Sequence, residues 1–215
     1  MHSEPAPDSA AEASWAGIIE ALAGRGWVEQ RNFLPAPLTH TLYAELMAEW
    51  EGGKLQKAGI GRGHEHQVID SIRGDYIHWL ERENASPALR ELFALMEQFR
   101  LYVNRHLLLG LEDYEVMGAY YPAGTHYGKH LDRFQGTDLR SLTTVIYLNP
   151  EWDESNGGQL RVYTDDGNTV DILPRAGTLA SFITEGTWHE VLPANRPRLS
   201  LTGWYRRRAL GGAVI

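Results

Sequence analysis

Two histidines and an aspartate could converge on one metal ion. His130 and Asp132 stand two residues apart in GKHLD, within a segment that reads as strand from 126 to 132, so both side chains leave the same face. Such a pair alone arises by chance in many chains. The third member is His189 in TWHEVLP, expected on a late strand, 188 to 192, which returns beside the first if the sheets wind as a jelly roll. Two imidazoles and one carboxylate on one face leave coordination positions open, which is the ligand set of a non-haem Fe(II) oxygenase.

An anion site belongs to the same face. Arg198 in RLSLTGWY shares its parity with Ser200, Thr202 and Trp204, and Thr143, Val145 and Tyr147 share one parity on a strand at 140 to 148. If both faces point inward, a guanidinium fork and a tyrosine hydroxyl meet in one pocket, an arrangement suited to the distal carboxylate of a dicarboxylic cosubstrate. Arg196 has the same parity, so alternation leaves the choice between the two arginines open. Other histidines read differently. His64 and His66 form an HxH in a glycine-rich stretch without a third partner and are expected to be exposed, and His126 is expected at the surface or next to the ligands.

These side chains need a rigid frame, and the chain supplies two kinds of period. Residues 1 to 13 show none and read as a disordered tail. Ser14 can cap a helix carrying Trp15, Ile18, Ile19 and Leu22, ended by Gly24 or Gly26, with a strand at Trp27 to Phe33 after it. Pro35 and Pro37 lead into a second helix with Leu38, Leu42, Leu46 and Trp50 in line. Ser86 as cap and Pro87 at the first helical position open the longest helix, through Leu89, Leu92, Phe93, Met96, Phe99, Val103 and Leu107. Between the second and third helices, residues 54 to 80 read as a long loop with glycines at 59, 61 and 63; loops of this length are usually functional. From Tyr114 the period becomes two, with strands at 114–121, 126–132, 140–148, 159–164, 168–173, 178–183, 188–192 and 198–206. The fold expected is mainly β with N-terminal helices: a jelly roll, or double-stranded β-helix, at 114–208, packed on helical support at 14–113 within one domain, and a flexible tail at 209–215.

Composition narrows the function. Without cysteine there is no disulfide framework, thiolate metal site or cysteine nucleophile. A net charge of -8 repels a phosphate backbone, so no nucleic acid partner is expected, and the basic run Arg206 to Arg208 reads as a solvated strand end. Among the 215 residues no stretch approaches the roughly 20 apolar residues of a membrane span, and MHSEPAPDSAAEAS lacks the pattern of a signal peptide. A cytoplasmic monomer with no membrane partner is expected.

Four stretches, YYPAGTHYGKHLD, TTVIYLNPEWD, NGGQLRVY and HEVLPANRPRLSLTGWY, together resemble the catalytic core of the 2-oxoglutarate- and Fe(II)-dependent prolyl hydroxylases, specifically the oxygen-sensor-type family and its bacterial branch. IRGDYIHWL at 72–80 resembles that family's segment after its substrate loop. The resemblance implies iron ligands His130, Asp132 and His189, and selects Arg198, nine residues after the second histidine, as the partner of the 2-oxoglutarate 5-carboxylate. It implies Tyr147 on the same carboxylate, Tyr121, Thr143, Thr202 and Trp204 in the cosubstrate pocket, and Arg73, Asp75 and Trp79 beside the substrate channel. Dioxygen would be the oxidant and ascorbate the reductant, with succinate and CO2 formed as a C–H bond is hydroxylated in procollagen-proline-type prolyl 4-hydroxylase chemistry. The implied partner is a protein with an accessible proline, among bacterial relatives the switch I loop of elongation factor Tu. The alternatives are another protein such as a ribosomal protein, a small molecule such as free proline, or a non-catalytic jelly-roll sensor.

Overall fold

Strands of period two and helices of period 3.6 divide the molecule into layers. The computed structural model describes residues 9–59, 69, 72–132 and 139–207. The HxH at His64 and His66, Arg208, and the expected tails at 1–8 and 209–215 lie outside the described residues.

Three helices, α1 (Ser9–Arg25), α2 (Ala36–Glu51) and α3 (Pro87–Leu107), form one layer. α1 starts before Ser14, which therefore lies inside the helix and is not its cap; the stretch SAAEA consists largely of strong helix formers and carries the helix back to Ser9. Gly26, with φ 78°, turns the chain at its end. α3 begins as the sequence expects: the Ser86 hydroxyl accepts from the Leu89 amide at 3.0 Å, a cap worth about 1 kcal/mol, and donates to Glu45 Oε2 at 2.7 Å.

Eleven strands form two sheets among the described residues. They are β1 (Trp27–Gln30), β2 (Gln56–Lys57), β3 (Tyr76–Trp79), β4 (Leu111–Tyr121), β5 (Tyr127–His130), β6 (Arg140–Tyr147), β7 (Leu160–Tyr163), β8 (Thr169–Ile172), β9 (Leu179–Ile183), β10 (His189–Val191) and β11 (Arg198–Arg207). The larger sheet runs β1-β9-β6-β11-β4-β3-β2 and the smaller β5-β10-β7-β8, all described pairs being antiparallel. The jelly-roll expectation is met. The support region is more than helices, however: β1, β2 and β3 extend the large sheet, β4 begins at Leu111 rather than Tyr114, and β2 and β3 occupy part of the expected 54–80 loop. β1 stops at Gln30, short of Phe33, because Asn32 takes a positive φ of 55° and turns the chain.

Alternation sorts the large sheet's side chains between two cores. On β11, Leu199, Leu201 and Tyr205 join Leu142 and Ile146 of β6 against the helices, with the Tyr205 hydroxyl donating to the Met96 carbonyl of α3 at 2.6 Å. Between the sheets lie Ala119, Tyr121, Val145, Tyr147, Ala180 and Phe182, facing Leu160, Val162 and Val191 of the small sheet. Gly118 lets α2 sit close to the sheet, since a Cβ there would fall 2.5 Å from Leu46. No helix among the described residues is long and apolar enough to cross a membrane.

Candidate active site

The small sheet brings the predicted metal ligands together. His130 ends β5 and His189 opens β10, and the two are direct partners in the antiparallel register. Asp132 follows β5 by two residues, and its Oδ1 lies 3.5 Å from Nε2 of each histidine. One ligand atom from each of the three residues lies within 4.8 Å of the others. Their remaining polar atoms are engaged. His130 Nδ1 donates to the Gly128 carbonyl at 2.8 Å and His189 Nδ1 to the Thr187 carbonyl at 3.0 Å, which puts the free lone pair of each ring on Nε2, facing the centre. Asp132 Oδ2 accepts from Thr143 Oγ1 at 3.0 Å and from Trp204 Nε1 at 2.9 Å, leaving Oδ1 for an ion. The Tyr127 ring stacks on His130 at 3.6 Å.

Electrostatics follow from burial and proximity. Burial opposes ionisation of Asp132, but the two histidines outweigh it and hold the carboxyl well below its usual range. Burial also opposes charge on His189, where Asp132 outweighs it and raises the pKa; on His130 burial dominates and lowers it.

Arg198, the first residue of β11, is 2% exposed. Its Nε and Nη1, the Tyr147 hydroxyl and the Ser200 hydroxyl are buried without a hydrogen-bond partner among the described residues. Two unpaired guanidinium donors and two unpaired hydroxyls, all buried, fit a carboxylate, because an unpaired buried donor is otherwise costly. Burial pushes the Tyr147 hydroxyl up to about 12, with Arg198 acting against the shift, so Tyr147 stays a donor at neutral pH. The guanidinium lies over the Tyr121 ring, 4.4 Å from its centroid. Gly158, at φ +72°, lets the chain close over the arginine stem: a Cβ there would meet Ala194 at 2.9 Å, Trp152 at 3.1 Å and Arg198 Cδ at 3.4 Å. A cavity of about 590 Å³ connects the triad to Arg198, with Tyr121, Val145, Thr202 and Trp204 on its wall and Arg73, Ile72 and Trp79 also lining it.

Residues 116–206 match the model of the 2OG-Fe(II) oxygenase superfamily. The fold is similar to a Pseudomonas putida prolyl-4-hydroxylase, 43% identical, covering 90% of this chain and 99% of that one with a TM-score of 0.82. The chain belongs to the 2OG-Fe(II) oxygenase superfamily. This oxygenase is also similar to a Trichoplax adhaerens prolyl hydroxylase solved with a hypoxia inducible factor peptide, 27% identical at TM-score 0.84 over 94% of each chain. It is 35% identical to human Egl nine homolog 1 over 87% of its own length and 45% of that protein's, and 30% identical to a Caenorhabditis elegans hypoxia-inducible factor prolyl hydroxylase over 87% and 27%. The chain thus spans less than half the length of these two curated relatives.

In the oxygenase the residues present fit Fe(II) and 2-oxoglutarate: His130, Asp132 and His189 would hold the iron, and Arg198 with Tyr147 the distal carboxylate. Some expected roles change. Trp204 lines the cavity, as the resemblance implies, whereas Thr143 and Tyr147 lie behind its wall; the Thr143 hydroxyl and the Trp204 indole N–H both donate to Asp132. Asp75, expected beside the substrate channel, is fully buried and does not line the cavity. Both its oxygens accept from Arg73, at 2.8 and 2.6 Å, because a buried carboxylate requires a paired cation. Arg73 also donates to the Gly59 carbonyl at 3.3 Å and lies 4.3 Å over the Tyr127 ring. Trp79 is 44% exposed and 6.0 Å from Trp204. Arg196 donates to the Glu151 carbonyl at the surface. Sequence reasoning missed Thr184, whose hydroxyl lies 3.0 Å from that of Thr143, and gave Ser200 no role. Both share the parity of inward neighbours, Phe182 and Arg198, and that was the available signal.

Proposed function

We propose that the chain is an iron- and 2-oxoglutarate-dependent dioxygenase that hydroxylates a prolyl residue in a protein. The observation that carries this reading is a single cavity that joins the His130–Asp132–His189 cluster to the buried Arg198, whose Nε and Nη1 have no hydrogen-bond partner among the described residues. Bound iron and 2-oxoglutarate supply the activation of dioxygen and the oxidising power for C–H hydroxylation, releasing succinate and CO2. The chain's residues do the rest. Arg198 and Tyr147 bind the distal carboxylate and set the cosubstrate's direction, while Thr143 and Trp204 fix the Asp132 plane. The apolar wall of Val145, Leu160 and Val191 excludes water from the reacting centre. Trp79 and Ile72, half exposed where they line the cavity, offer an apolar surface to an extended segment carrying the proline.

Support for a protein substrate comes from the relatives, among them the enzyme solved with a peptide; support for a bacterial substrate comes from the 43% identity to the Pseudomonas enzyme. Elongation factor Tu, through its switch I proline, is the substrate proposed, with the enzyme acting as a cytoplasmic monomer and ascorbate keeping the iron reduced. The test is incubation with iron, 2-oxoglutarate and ascorbate of elongation factor Tu, ribosomal proteins and free proline in parallel. Intact mass should show a single-oxygen gain on elongation factor Tu matched by succinate. Gain on a ribosomal protein or on proline alone would redirect the substrate, and succinate with no acceptor oxidised would overturn the prolyl reading.

A further inference from the structure

Two of the three metal ligands depend on one short stretch of chain, the turn of residues 184–188 between β9 and β10. We propose that this turn is the positioning element of the metal centre, with Thr184 orienting Asp132 through Thr143 and Thr187 orienting His189. The inference rests on the metal centre alone and not on the identity of the substrate.

Proton counting gives the direction of the hydroxyl chain. An ionised carboxylate only accepts, so the single proton of Thr143 goes to Asp132 Oδ2. The Thr143 oxygen then has only lone pairs to offer Thr184, 3.0 Å away, and the Thr184 hydroxyl must be the donor. Thr184, Thr143 and Asp132 therefore form one polarised line in a site where Thr184 and Thr143 have no exposure, and such lines strengthen each bond in them. Three residues further on, the Thr187 carbonyl accepts from His189 Nδ1 at 3.0 Å, and its hydroxyl donates to the Ile183 carbonyl at 2.6 Å, closing the turn on itself. Gly186, at φ +81°, makes the reversal possible. The start of the turn is anchored from outside: the Ile183 amide donates to the Gly26 carbonyl at 2.9 Å and the Thr184 amide to Ser141 at 3.1 Å. Its geometry is thus set by β6 and by the end of α1, and passed to the ligands by two side-chain contacts.

The experiment measures Mn(II) affinity of the purified full chain by titration without cosubstrate or substrate, with thermal unfolding of the metal-free protein recorded for each variant. Thr143→Val should weaken Mn(II) binding by roughly ten- to a hundredfold, as loss of a ligand's outer partner does. Thr184→Val, one bond further out, should weaken it about three- to tenfold, and Thr184→Ser should return it to within about twofold of wild type. The combined Thr143→Val/Thr184→Val protein should bind within about twofold of Thr143→Val alone, since the outer hydroxyl acts only through the inner one. Wild-type affinity in Thr184→Val, or losses that multiply in the double variant, would overturn the relay. Should Thr184→Val not fold, Thr184→Ala against Thr184→Ser decides by the same criterion: weaker binding in Ala alone supports the relay, and equal binding overturns it. Failure of the wild-type protein to bind Mn(II), or binding that survives His130→Ala unchanged, would overturn the metal centre itself and the turn's role with it.

Discussion

The metal ligands and the carboxylate cradle lie on opposite sheets and are built on opposite terms. On the small sheet, each polar atom of the triad that does not face the centre has a partner inside the protein: His130 Nδ1, His189 Nδ1 and Asp132 Oδ2. On the large sheet, Arg198 Nε and Nη1, Tyr147 Oη and Ser200 Oγ have none among the described residues. The first region fixes its ligand geometry by itself. The second concentrates donors whose desolvation is offset when an anion binds. Metal binding should therefore be sensitive to the groups that orient the ligands, and cosubstrate binding to the number of donors that point at it.

The largest expected effect is loss of the triad. His130→Ala, Asp132→Ala and His189→Ala should each lower succinate formation by more than about a hundredfold, with the fold retained by circular dichroism; near-normal turnover in any of them would break the assignment. Next is Arg198→Lys, which keeps the charge and loses the fork. The affinity for 2-oxoglutarate should fall by about 1.5–3 kcal/mol, roughly ten- to a hundredfold, while Arg196→Lys, at a surface position, leaves it unchanged; isothermal titration of the Mn(II)-loaded protein measures both.

A third prediction concerns pH. The His189 pKa is raised in the folded, metal-free protein, so at and below about pH 6.5 a metal must displace its proton. Metal affinity should rise by up to about tenfold per pH unit until His189 is deprotonated. The same shift stabilises the metal-free fold, fully below the unfolded pKa, and this contribution is lost as pH rises through the folded value. Asp132, depressed in the fold, contributes above its unfolded pKa and loses that contribution as pH falls through the folded value. Metal titrations and metal-free melting curves across pH 5–9 check both signs. The smallest effect is that of Tyr147→Phe, which removes one donor from the cradle: 2-oxoglutarate affinity should drop about two- to tenfold, with metal affinity unchanged and the ligand-free melting temperature held or raised.

Strand parity made much of this site legible in advance. A period of two places every second residue on one face, so His130, Asp132, Thr143, Tyr147 and Arg198 could be assigned inward from local pattern. The resemblance to a known family then chose Arg198 over Arg196, a choice that parity could not make. β3, by contrast, is only four residues long and follows a stretch without period, so its place in the large sheet was not visible. Burial explains why its neighbour Asp75 pairs with Arg73 instead of facing the substrate.

By itself the sequence determined which residues are chemically able to bind iron and a dicarboxylate, the helical and alternating periods that frame them, and the absence of any thiol chemistry, because these are properties of side-chain type and of spacing along one strand. The tertiary structure decided what each polar group is used for. Thr143, Thr184 and Trp204 are far apart in sequence; folding pairs Thr143 of β6 with Trp204 of β11 in register, brings both onto Asp132, and sets Thr184 of the turn after β9 against Thr143. Hydrogen bonds are satisfied by whatever folding brings within about 3 Å, and no local pattern encodes that distance.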